Sequence, residues 1–173
     1  MNLSRRAFVM ASAGASQVFG LKAVRAQGEI WQEFRRDDVG FLIEMPGVPK
    51  IEVQKGDPQD SWIRSTDAQV RYQQEIFDVS WTEFKDAASA EEEYRLFREL
   101  MSRAGYQIED DTPLTLQGAP AREFIIETGH INFVRRIVAV RNLAIGIHAT
   151  GARNIHHSPS GRRFLDSFRL LRV

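Results

Sequence analysis

The stretch AREFIIETGHINFVRRIVAVRNLAIGIHAT, residues 121–150, constrains the fold more than any other part of this 173-residue chain. It holds three apolar, β-branched runs, 121–128, 131–140 and 143–150, separated by Gly129-His130 and Arg141-Asn142. Two residues between such runs is the spacing of a tight hairpin turn. Two-residue turns also fix register. Val140 pairs with Leu143, so Arg135 faces His148 and Arg136 faces Ile147. Thr128 pairs with Ile131, so Phe124 faces Arg135 and Glu123 faces Arg136. One side of this meander carries Leu143, Ile145, Ile147, Val134, Val138 and Ile125; the other carries Phe133, Ile137 and Ala139. Strands that are apolar on both sides need cover on both.

Upstream, Phe41, Ile43 and Met45 alternate with Leu42 and Glu44, and Pro46-Gly47 turns the chain into a second extended piece, 49–54. That reads as a hairpin. Residues 61–66 and 69–84 read as two further strands around Asp67-Ala68. A helix is predicted over 90–104, with Ser89 as its cap, Glu92 three residues on, and Tyr94, Phe97, Met101 and Ala104 along one stripe. Gly105 supplies the left-handed stop. Ser158-Pro159 opens a last helix through Phe164, Leu165 and Phe168. Trp31 and Phe34 are expected to cover one sheet face, and Arg35-Arg36-Asp37-Asp38 to form a solvated turn. Strands, helix, strands, helix is an α+β order: a mainly antiparallel sheet, with helices expected on both faces.

The first residues, MNLSRRAFVMASAGASQVFGLKAVRAQ, have a different logic. A basic pair is followed by fifteen uncharged residues, 7–21, then Lys22, Arg25 and small residues at 24 and 26. These are the parts of an export signal, and the apolar run is short for a membrane span. Ser4-Arg5-Arg6-Ala7-Phe8-Val9 resembles the twin-arginine motif, with Met10 in place of its frequent lysine. The resemblance implies bacterial export of a folded chain, cleavage after Ala26, a periplasmic location and one domain over 27–173. Arg5, Arg6, Lys22 and Arg25 leave with the leader. That leaves 19 basic residues against 23 acidic, a net charge of −4. Such a balance argues against nucleic-acid backbones and anionic lipid, and no membrane span is expected after cleavage.

The absence of cysteine excludes disulfides, thiolate catalysis and thiolate metal sites. Eleven Phe and three Trp provide the core instead. No stretch forms a phosphate loop: Gly146 and Gly151 are followed by Ala152-Arg153, where Lys and a hydroxyl would be needed. Ser, His and Asp occur at no spacing that singles out a triad. No cofactor is implied.

Three sets of residues could still carry chemistry. Arg135 and Arg136 interrupt an apolar strand, where charge needs a partner. Glu123 supplies Arg136 with one, a structural ion pair. Arg135 has only Phe124 and His148 opposite, so Arg135 with neutral His148 is a candidate site for a small anion. His156-His157, after Asn154-Ile155, could offer imidazoles to a metal ion, with His148 or His130 as a third, although adjacent histidines on an extended chain point apart. GFLIEMPGVPK at 40–50, the mid-chain helix and FLDSFRLL at 164–171 resemble exported bacterial proteins with a PsbP-like fold. That resemblance implies an antiparallel sheet between helices and an accessory role. It transfers no catalytic residue. The expected function is a non-enzymatic envelope module that docks on another envelope protein, with a small-anion or metal-binding protein as the alternative.

Overall fold

The computed structural model describes residues 31–87, 92–127, 132–152 and 154–171. The export signal with Arg5, Arg6 and Phe8, its cleavage site, the Ser89 cap and the Gly129-His130 turn lie outside them. Ten strands and two α-helices are described: β1 Gln32–Arg36, β2 Phe41–Met45, β3 Lys50–Lys55, β4 Trp62–Tyr72, β5 Glu75–Phe84, α1 Glu93–Arg103, β6 Ile108–Leu116, β7 Ala119–Glu127, β8 Asn132–Val140, β9 Leu143–Gly151, α2 Pro159–Ser167 and β10 Arg169–Leu170. A 3₁₀ turn, Ile155–His157, precedes α2.

The strands form two antiparallel sheets, β3-β4-β5-β9-β8-β7-β6 and β1-β2-β10. The α+β expectation with helices packed on both faces is therefore corrected to a mostly β architecture in two sheets. The reason lies in the first strands. Phe41, Ile43 and Met45 are fully buried on one side of β2, which makes the small sheet itself the main cover for one face of the large one. The hydrophobic core between the sheets holds Phe41, Phe77, Trp81, Ile145, Ile147, Phe164 and Phe168, with Trp31 and Phe34 packed against it. On the opposite face, a smaller cluster of Phe84, Phe124, Ile126, Phe133 and Ile137 is met by Phe97 and Met101 of α1.

Two local readings also change. Pro46-Gly47 is not a hairpin turn. Gly47, at φ 127°, and Pro49 carry the chain from the small sheet to the large one, so β2 pairs with β1 while β3 pairs with β4. Asp67-Ala68 is not a turn either; β4 runs straight through it, and the reversal lies at Gln73, φ 54°. By contrast, the β7-β8-β9 register is the one that two-residue turns require, including Arg135 opposite Phe124 and His148, and Arg136 opposite Glu123 and Ile147. Gly105 holds the left-handed conformation after α1, at φ 77°. Ser158 caps α2 by accepting the Gly161 N–H at 2.9 Å.

Candidate functional site

Alternation along a strand puts Arg135 and Arg136 on opposite faces of the sheet. Arg136 lies on the core side near α2. Its Nε donates to Glu123 Oε2 at 2.6 Å, and its Nη1 donates to Leu165 O at 2.8 Å and to Asp166 Oδ1 at 3.1 Å. Glu123 is opposite in register and only about one-fifth exposed, so this pair ties β7 and β8 to the last helix. A bridge in this partly buried setting is worth more than a surface pair only because its remaining hydrogen bonds are made.

Arg135 stands on the other face, under α1. Its guanidinium lies 5.0 Å from the Phe97 ring centre, a cation–π contact. Beneath it is Gly146. A Cβ there would sit 2.8 Å from Arg135 Nη2 and 2.7 Å from Ser80 Oγ, so glycine lets the side chain cross β9 in this position, and any larger residue would make one of them shift. Arg135 Nε is buried and has no hydrogen-bond partner among the described residues.

The sheet continues past β9 to β5 and to β4, where Asp67, expected in a turn, lies within a strand. Asp78 on β5 is directly opposite His148, and Asp67 on β4 is opposite Ser80, one strand further out. The chain thus gathers Asp67, Asp78, Ser80, Arg135, His148 and Thr150 on one face. Burial drives the Asp78 carboxyl up to about 7; nearby Asp67 raises it further and Arg135 opposes the shift. Asp67 is raised for the same first reason. Burial pushes the His148 imidazole down to about 3, and the Arg135 charge adds to this. His148 Nε2 and Thr150 Oγ1 are 3.0 Å apart, and the ring meets Phe133 edge-on at 5.0 Å.

What can this cluster do? Asp67 and Asp78 share this face, and their negative charge when ionised disfavours an anion at Arg135. A His–Thr contact is the beginning of a nucleophile–base pair, but an imidazole that titrates near 3 is a weak base at neutral pH. The cluster instead resembles a buried charge set that anchors α1 on the sheet.

His156 and His157 sit in the 3₁₀ turn with ring centres 4.0 Å apart, so they do not diverge as extended neighbours would. They border a depression of about 150 Å³ shared with Glu123, Arg136, Arg162 and Asp166. Burial lowers the His156 pKa, and His157 lowers it further. Among the described residues no three His, Cys, Asp or Glu side chains are grouped to hold a metal ion. A second depression, of about 370 Å³, is lined by Tyr94, Arg95, Arg98, Glu99 and Arg122. Its arginines are engaged by Glu92, Glu99 and Asp111. No described helix is long and apolar enough to cross a membrane.

The feature that the sequence reading passed over is an edge. Among the described residues β3 ends the large sheet, and all six of its residues are exposed. Ile51 and Val53 are 48% and 58% exposed, and Val48 just before them 83%. The signal was present in the alternation KIEVQK, but the hairpin expectation gave that strand a false partner in β2.

No protein-family model matches the chain, and no curated protein matches it. Among solved structures, PA94 from Pseudomonas aeruginosa, a protein of unknown function, is similar over 76% of this chain and 91% of its own. The identity is 12% and the TM-score 0.40, too low to carry an argument about function.

Proposed function

We propose that this chain is an exported, non-enzymatic module of the bacterial cell envelope that docks on another envelope polypeptide by strand addition at β3. The observation that carries the reading is the open edge of β3, with Ile51 and Val53 exposed between charged residues, whose outward N–H and C=O groups form a ready template for a further strand. Export rests on Ser4-Arg5-Arg6-Ala7-Phe8-Val9 and on the small residues that end at Ala26. The weak basicity of His148 favours binding over catalysis.

The test is a photo-crosslinking residue placed at Val53 in cells that express the full chain. The expected result is a crosslink to a second polypeptide in the periplasmic fraction, from a protein whose mass begins at Gln27. The reading fails if Val53 crosslinks no better than Glu109, an exposed residue on the opposite edge.

A further inference from the structure

The two edges of the large sheet differ. β6 is blunted: Pro113 lacks an N–H, the register shifts between Ile108 and Asp110, and Glu109, Asp110 and Asp111 add negative charge. β3 carries Lys50, Glu52 and Lys55, but contains neither proline nor bulge, so its ladder of backbone groups is unbroken. The Gly56 N–H donates to Ile63 O at 2.9 Å, which sets the phase of the ladder. The backbone groups of Lys50, Glu52 and Gln54 therefore point to β4, and those of Ile51, Val53 and Lys55 point outward. The side chains of Ile51 and Val53 share a face with Ala68 and Thr66, so exposed apolar surface continues from the core to the edge.

We infer that β3 pairs antiparallel with β3 of a second copy of this chain, about a two-fold axis through Val53, so that two seven-stranded sheets become one. This rests on the reading of β3 as the docking strand and names its occupant. Charge and hydrogen bonding favour this register over its immediate neighbours on the Glu52 side. With the axis at Val53, Val53 meets its own counterpart, Ile51 meets Lys55, Glu52 meets Gln54, and Lys50 meets Gly56. No like charges oppose, and the outward-pointing residues 51, 53 and 55 exchange hydrogen bonds with one another. An axis at Glu52 would oppose two carboxylates and would set Pro49, with no N–H, against Lys55. An axis between Glu52 and Val53 would oppose Lys50 and Lys55 and match outward-pointing groups with inward-pointing ones. The contact is isologous, so both open edges are used, and the blunted β6 edges stop further growth.

The chain has no cysteine, so one introduced thiol reads the register. At the axis, hydrogen-bonded partners have Cα atoms about 5.5 Å apart, within disulfide range. Val53→Cys in the exported protein is expected to form a disulfide-linked dimer under mild oxidation. Gln54→Cys, offset by two residues from its counterpart, and Glu109→Cys are expected to stay monomeric. Ile51→Cys and Lys55→Cys are expected to crosslink to each other in a mixture, and neither to itself. Sedimentation of the unmodified protein is expected to give twice the chain mass, and Val53→Lys to return it to one. Val53 is exposed, so this change leaves the fold intact, as circular dichroism will report. A monomer at every concentration, with Val53→Cys no faster to crosslink than Glu109→Cys, overturns the second copy as occupant. If the photo-crosslinker at Val53 then captures a different protein, docking at β3 stands and only this inference falls; if it captures nothing, both fall.

Discussion

At the scale of single residues, the cluster under α1 makes opposed demands on pH. Asp78 is raised in the folded chain from its ordinary value to about 7, so the fold holds a proton there that the unfolded chain releases. Its penalty is absent below the unfolded carboxylate pKa, grows between about pH 4 and 7, and is full above that. His148 runs the other way: lowered to about 3, it destabilises the fold progressively as pH falls from about 6.5. Asp78→Asn removes the first penalty. Its free energy of urea unfolding is expected to exceed that of the parent at pH 8 by about 1–3 kcal/mol, and to match it near pH 4. A variant less stable than the parent at pH 8 would mean that ionised Asp78 is the counter-charge Arg135 needs. Gly146→Ala tests the same site sterically. The added Cβ meets the mobile end of Arg135 and the Ser80 hydroxyl, so a loss of about 1–2 kcal/mol is expected, with Arg135 displaced from Phe97. An unchanged midpoint would show that the guanidinium moves aside freely.

Among the elements, legibility followed the strength of local signals. The β7-β8-β9 meander was readable to the residue because its turns are short and its strands apolar, which leaves one register that buries both faces. The final helix was equally plain, with Pro159 at its first position and Ser158 capping it. Ser158→Ala is expected to lower stability by about 1 kcal/mol, measured by thermal melt, because the Gly161 N–H loses its acceptor. β6 was invisible: IEDDTPLTL is acidic, interrupted by proline and only partly buried, as suits an edge. The Asp67–Asp78 half of the polar cluster was missed for a different reason. Asp and Ala have low strand propensity, so Asp67-Ala68 looked like a turn, yet Ala68 is fully buried beside the aromatic core. With the turn misplaced, nothing in the sequence could set Asp78 opposite His148. The open edge was hidden by the same kind of error, since Pro46-Gly47 imitates a hairpin at a point where the chain changes sheets.

For the whole molecule, the question is whether the small sheet is a separate unit or part of one cooperative fold. Three distant segments meet at Phe41: its ring lies 5.5 Å from Trp81 of the large sheet, 5.9 Å from Phe168 at the end of α2 and 6.3 Å from Phe34 of β1. Leu42 pairs with both β1 and β10, so the start and end of the described chain close over the same core. Neither sheet can lose this layer without exposing Phe77, Ile145 and Ile147. α1 is held differently: only Phe97 and Met101 are buried, and its polar ties are the stack on Arg135, the Arg98–Asp111 pair and the Tyr94 hydroxyl donating to Pro120 O at 2.9 Å. Two substitutions should therefore behave in opposite ways. Phe41→Ala is expected to cost about 3–5 kcal/mol and to speed amide exchange in β2, β5 and β9 by one common factor, because all three open only with the whole fold. Phe97→Ala is expected to raise exchange in α1 well above that in the large sheet, because the helix can lift without the sheet opening. Hydrogen exchange read by mass spectrometry on both variants decides the matter. If Phe41→Ala loosens β2 while β5 and β9 keep their protection, the small sheet is an independent lid and the interlocked core described here is wrong.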